Sequence, residues 1–211
     1  MRASLTGAVV AACLLPSTAA HAVLGPEEFP TRDEVASILD LDRPGKVDVT
    51  RHEVDTYFGV VPKRCDVTHH LRVGVESAQT GYWYSTPAYI ISPTIEVRRY
   101  RSASLAAERM RDVRGRLKAC AGRLYEDPPS VPTGGQVRID GYAPPRIGQA
   151  SFGLTSSYCC EGGPAKSRII VSRVGATIVW TQGMNYGGTG VRMPSKAPYV
   201  RLARLAVRRA G

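Results

Sequence analysis

The sequence predicts an α+β fold, an antiparallel β-sheet packed against two or three helices and stabilised by disulfides. Three observations carry this. Residues 102–122 repeat apolar side chains at three- and four-residue steps, the period of a helix with one buried face. Residues 167–181 hold two β-rich runs joined at Val174-Gly175, the pattern of a hairpin. The segments follow one another as helix, strands, helix, strands, helix, without the regular alternation of a parallel βαβ sheet.

The elements follow in chain order. Met1-Arg2, the apolar run Ala8 to Leu15 and the small residues of Ala20-His21-Ala22 read as a signal peptide, residues 1–22, cleaved after Ala22. Residues 23–211 are then one domain. A rival reading takes Val10-Ala11-Ala12-Cys13 as a lipobox with Cys13 as a lipidated anchor, but the apolar run before it is short and a cleavage-like site follows. No later segment approaches the ~20 apolar residues of a spanning helix. The expected location is secreted or in the cell envelope.

Pro26 to Pro30 is a polar lead-in. Thr31-Arg32-Asp33-Glu34 is a capping box ahead of a short helix with Val35, Ile38 and Leu39 inward, ended by Pro44-Gly45. Lys46 to His52 alternates like a strand, Tyr57 to Cys65 is loop-like, and Leu71 to Glu76 is strand-like. Gln79-Thr80-Gly81 precedes the aromatic cluster Tyr82-Trp83-Tyr84. A strand over Thr94 to Arg101 feeds the central helix, which Ser102 or Ser104 can cap. Leu105, Ala106, Met110, Val113, Leu117, Cys120 and Ala121 form its apolar side, and Glu108, Arg109, Arg111, Asp112, Arg116 and Lys118 its polar side. Pro128 to Gly135 is a loop, and Gln136 to Tyr142 and Gln149 to Tyr158 are strands. Beyond the hairpin, Gly183 to Gly190 reads as a flexible loop. Lys196 to Ala210 closes the chain as a helix with Tyr199, Leu202, Ala203, Ala206 and Val207 inward and Arg201, Arg204, Arg208 and Arg209 mostly outward.

The chain carries 28 Lys and Arg against 18 Asp and Glu, a net charge of +10 over 211 residues. That balance favours anionic partners such as envelope polymers, lipid headgroups or phosphorylated glycans. Beyond Cys13, four cysteines remain in the exported chain, Cys65, Cys120, Cys159 and Cys160, and an even count there points to disulfides. A bridge between Cys65 and Cys120 would stabilise by roughly 4 kcal/mol on a loop-entropy model. Cys159-Cys160 leaves three options open: a vicinal disulfide, separate partners, or thiols that act on a substrate or hold a metal. His69-His70 and His52 could complete a zinc or copper site, yet neighbouring histidines on a strand face opposite ways. No metal or cofactor is therefore expected.

The G-x-S-x-G elbow, the H-E-x-x-H helix and the P-loop are absent, and no spacing selects a carboxylate pair. Tyr82, Trp83, Tyr84 and Trp180 are the candidate ligand-binding residues, as a stacking platform for a sugar or lipid headgroup with arginines nearby. Strand alternation divides the cluster between two faces, so part of it is packing.

The order of features carries a resemblance: the early helix TRDEVASILDL, the proline-led cysteine in VPKRC, and the aromatic TGYWYS. These are followed by VRRYRSASLAAERMRDVRGRLKACAG ending in a cysteine, then SYCCEGG, the hairpin RIIVSRVGATIVW and a terminal helix. From about Thr31 onward the chain resembles the PknH-like extracellular sensor domain family of actinobacteria. The resemblance implies one α+β domain with an antiparallel sheet, flanking helices and a ligand cleft, and a bridge matching Cys65–Cys120. The family's second bridge would need a cysteine near Val174, and its tryptophan ahead of the helix cysteine is missing around Arg116-Leu117. A vicinal Cys159–Cys160 pair is the substitute.

The expected function is thus a non-catalytic ligand-binding or sensor-like domain. Its expected partners are an unspecified small-molecule or anionic envelope ligand and, for signalling, a separate membrane-bound protein, not nucleic acid. Two rivals stand beside it. One is a thiol-based redox enzyme or metal-binding protein using Cys159 and Cys160, which needs a cysteine with a lowered pKa. The other is a structural envelope protein that holds anionic polymers through its basic helices.

Overall fold

The computed structural model of the chain describes residues 23–46, 49–51, 75–126, 136–159, 163–188 and 190–211. The Thr31 capping box forms as expected. The Thr31 hydroxyl accepts from the Glu34 N–H at 3.2 Å, and the Glu34 carboxylate accepts from the Thr31 N–H at 2.7 Å. Helix α1 (Arg32–Leu39) starts there and ends at Asp40, which holds a left-handed φ of 55°. Helix α2 (Ala103–Cys120) begins where the Ser102 hydroxyl accepts from the Leu105 N–H. Its buried stripe is Ala106, Met110, Val113, Leu117 and Cys120. Helix α3 (Lys196–Ala210) covers the predicted residues and buries Tyr199, Leu202, Ala203, Ala206 and Val207 among others.

The strands are β1 (Gly45–Lys46), β2 (Thr50–Arg51), β3 (Val75–Ser85), β4 (Ile90–Tyr100) and β5 (Arg123–Glu126), then β6 (Gln136–Tyr142), β7 (Ala150–Cys159), β8 (Ala165–Val174) and β9 (Thr177–Tyr186). They form one sheet in the order β1-β3-β4-β9-β8-β7-β6-β5, with β2 also on β3, and every named pair is antiparallel. Among the described residues the fold is α+β with three α-helices. The predicted hairpin is β8–β9, turning at Gly175, whose φ of 54° is the left-handed value glycine adopts without strain.

Several boundaries differ from the sequence reading. Of the run Lys46 to His52, Lys46 lies in β1 and Thr50 and Arg51 in β2, both strands paired with β3, while Val47, Asp48 and His52 lie outside the described residues. Strand β3 passes through Gln79-Thr80-Gly81 and the whole aromatic cluster. Strand β4 starts at Ile90 and contains Pro93, an unusual residue for a strand paired on both sides. Pairing with β3 lapses opposite it, between Gly81↔Thr94 and Tyr84↔Ile91, while pairing with β9 continues through Pro93↔Gly183. The predicted loop from Gly183 is strand as far as Tyr186. A Cβ on Gly183 would sit 2.0 Å from the Tyr199 ring, so glycine serves there to let α3 rest on the sheet.

Each face of the sheet is covered. On one, α2 packs over Tyr100, Ile139, Phe152, Leu154, Ile169 and Trp180. On the other, α3 and α1 pack over Tyr82, Ile95, Val97, Ile170 and Val179, joined by Leu24 and Phe29 from the lead-in. Each such fully buried apolar side chain stabilises by about 1.5–3 kcal/mol relative to exposure. Arg99 anchors the lead-in, reaching Glu28 at 3.4 Å and Glu76 at 3.8 Å. Among the described residues, no helix is long and apolar enough to cross a membrane.

Candidate functional site: a cleft at the end of the central helix

Strand alternation decides where the aromatic candidates lie. Tyr82 is 1% exposed on the α3 face, where its hydroxyl donates to the Pro30 carbonyl. Trp180 is 3% exposed on the α2 face. The two therefore lie on opposite sides of the sheet and do not meet. Trp83 is 53% exposed, with its ring lying over Gly45 on the paired strand. That contact is an aromatic side chain covering a strand glycine, a packing role that also leaves much of the ring in solvent. Tyr84 is half-buried.

Two of the cysteines fall among the described residues. Cys120 ends α2 and is 5% exposed within the core. Cys159 is the last residue of β7, opposite Gln136. Cys65, Cys160, His52, His69, His70 and the segment 1–22 with Cys13 lie outside the described residues, as does the predicted loop over 128–135.

The basic face of α3 is less available than the sequence implies. Arg209 pairs with Glu34 at 2.6 Å and Arg201 donates to the Ile38 carbonyl at 3.0 Å. Half of the four outward arginines thus hold α1 in place.

Among the described residues, two cavities stand out where the layers separate. The first, of about 330 Å³, opens between the last turns of α2 and the β6–β7 pair. Leu117, Phe152 and Leu154 give it apolar walls, and Gly141 leaves its floor open. Arg114 and Lys118, one turn apart on α2, stand exposed at its rim, and among the described residues no acidic one lines it. The sequence pattern places Leu117 inward and Lys118 outward, but gives no sign that β6 and β7 would come to lie beside them. The second cavity, of about 280 Å³, lies between the end of α1 and the start of α3, beside Leu41, Tyr89, Arg192 and Asn185. Asn185 donates to the Arg192 carbonyl at 2.9 Å, while its side-chain oxygen and the buried Tyr199 hydroxyl have no partner among the described residues. Burial pushes the Tyr199 phenol well above the usual tyrosine range. Among the described residues, no three His, Cys, Asp or Glu side chains gather as metal ligands.

No family model matches this chain, and no curated protein matches it. The solved structures do. The crystal structure of the extracellular domain of PknH from Mycobacterium tuberculosis superposes with a TM-score of 0.66 at 11% identity, covering 87% of this chain and 92% of that one. The two share a fold. A putative uncharacterized protein from Mycobacterium smegmatis is also similar, with a TM-score of 0.42 at 11% identity over 83% of this chain and 96% of that one.

Proposed function

We propose that this chain is a secreted or envelope-exposed, non-catalytic ligand-binding domain of the sensor type. The observation that carries the reading is the fold shared with the PknH extracellular domain over most of both chains. The cleft at the end of α2 supports it, being a concave apolar site of small-molecule size on a rigid sheet. Of the aromatic set, Trp83 and Tyr84 keep surface that a ligand can reach, whereas Tyr82 and Trp180 act in packing. Signal-peptide removal after Ala22 delivers the chain, and a separate membrane-bound protein relays the signal. A Cys65–Cys120 bridge fixes the end of α2 beside the cleft, and the burial of Cys120 is in keeping with it. Cys159 and Cys160 close on each other.

The test is stabilisation without turnover. A ligand that binds only the folded chain raises its stability by about 2.7 kcal/mol at a hundredfold excess over Kd. Melting the purified chain with fractionated small-molecule extracts of bacterial envelopes should therefore show a raised midpoint with at least one fraction, with that fraction chemically unchanged. Chemical conversion of the fraction would defeat the reading. So would non-reducing peptide mapping that finds Cys159 and Cys160 as thiols with exchange activity, which would establish the redox reading instead.

A further inference from the structure

We propose that the cleft between α2 and the β6–β7 pair takes a small anionic amphiphile, with an apolar body against Leu117, Phe152 and Leu154 and a carboxylate or phosphate monoester at Arg114 and Lys118. The assignment rests on the ligand-binding reading above and names the class of ligand.

The chemistry of the lining selects that class. Its two hydroxyl-bearing residues, Ser151 and Tyr142, engage their hydroxyls within the protein, Tyr142 against the core of the other sheet face. Ser151 donates to the Pro145 carbonyl at 3.2 Å and accepts from the Ile147 N–H at 3.3 Å. The Tyr142 hydroxyl donates to the Ile169 carbonyl at 3.4 Å. The backbone of the floor is paired in the β6–β7 ladder, Gly141 with Leu154 and Tyr142 with Gly153. A sugar entering the cleft would bury hydroxyls against groups that cannot answer them, which is unfavourable. An apolar body loses nothing there.

The charges at the rim complete the argument. One turn earlier on α2, Arg109 and Asp112 pair with each other at 3.3 Å. Arg114 and Lys118 enter no ion pair among the described residues. Their place near the helix C-terminus accounts for their sign through the helix dipole, but not for the cavity beneath them. About 330 Å³ lies at the small end of ligand pockets, room for one short chain or one ring system and not for a two-chain lipid.

Gly141 makes the proposal testable without damage to the fold. A Cβ there meets only the Ala121 Cβ, at 4.0 Å, so a larger side chain grows into the cavity and not into the protein. Calorimetric titration of the purified chain with decanoate, decyl phosphate, decanol and decyltrimethylammonium, all below micellar concentration, should give one site for the two anions. Decanol should bind at least about fivefold more weakly, and the cation not measurably. The double variant Arg114→Gln, Lys118→Gln should lose about fivefold in affinity for the anions, as two exposed charge contacts imply. Gly141→Val should abolish binding while melting like the parent. A preference between decanoate and decyl phosphate assigns the head group as carboxylate or phosphate.

Equal affinity for decanol and decanoate would overturn the proposal. So would undiminished binding by the charge-free double variant, which lies on the surface and tests the site even if Gly141→Val fails to fold. Absence of binding by every probe would overturn the ligand class. Stabilisation by envelope fractions, read separately, would then still decide the broader function.

Discussion

At the scale of single residues, the buried polar groups make the sharpest predictions. Glu96 and Arg98 pair on the α2 face of β4, 4% and 6% exposed. Removing one member leaves a buried charge uncompensated, so Arg98→Met should destabilise by about 3–5 kcal/mol in urea unfolding. Adding Glu96→Gln to it should recover part of the loss. The tyrosines separate by the same logic. Tyr82 donates to a backbone carbonyl, so Tyr82→Phe leaves that oxygen unanswered and should destabilise by about 1 kcal/mol. The Tyr199 hydroxyl has no partner among the described residues, so Tyr199→Phe should be neutral or slightly stabilising. Equal losses in the two variants would contradict this account.

At the scale of elements, α1 depends on a carboxylate with two tasks. Glu34 accepts from the Thr31 N–H in the capping box and pairs with Arg209 of α3. Both contacts, the backbone one first, hold its carboxyl below the usual range despite some opposing desolvation. The stabilisation is present above the ordinary carboxylate pKa and is lost as pH falls through the lowered value. Thr31→Ala should destabilise by about 1 kcal/mol and loosen α1 before the rest of the fold, read by amide exchange at Val35 and Ile38. These helices were legible because capping and apolar period are local signals, and the same holds for the β8–β9 turn. The course of β4 and β9 was not. Pro93 and Gly183 both argue against a paired strand, and each is tolerated because of a partner distant in sequence. Pro93 stands where pairing with β3 lapses, and Gly183 lies under Tyr199. The cleft was hidden for a related reason: the period of α2 fixes which side chains leave the core, and only the sheet order shows what they leave it beside.

For the whole molecule, the buried phenols set an alkaline limit. Burial pushes Tyr100 up to about 12 and shifts Tyr82, Tyr142 and Tyr199 upward as well. Up to the ordinary tyrosine pKa near 10, both folded and unfolded chains keep these protons. Between about 10 and 12 the unfolded chain releases them and the folded one does not, so unfolding gains ground as pH rises. Tyr100 alone implies a loss of about 2–3 kcal/mol across that interval. Urea midpoints should fall steeply there, and less steeply in Tyr199→Phe. A flat profile would mean that the phenols are not buried as described.

The pairing of β4 with β9 has a consequence in time. It joins Ile90 to Tyr186 and Arg99 to Thr177, so the middle of the sheet closes only when the last hairpin arrives. Until then β4 is an open edge, able to pair with another chain, and α2 covers only part of its final floor. Such distant contacts make folding slow, on the order of milliseconds to seconds. A nascent chain of this design therefore passes through a sticky interval that ends with its final third, and a chaperone or crowded neighbour would meet it there.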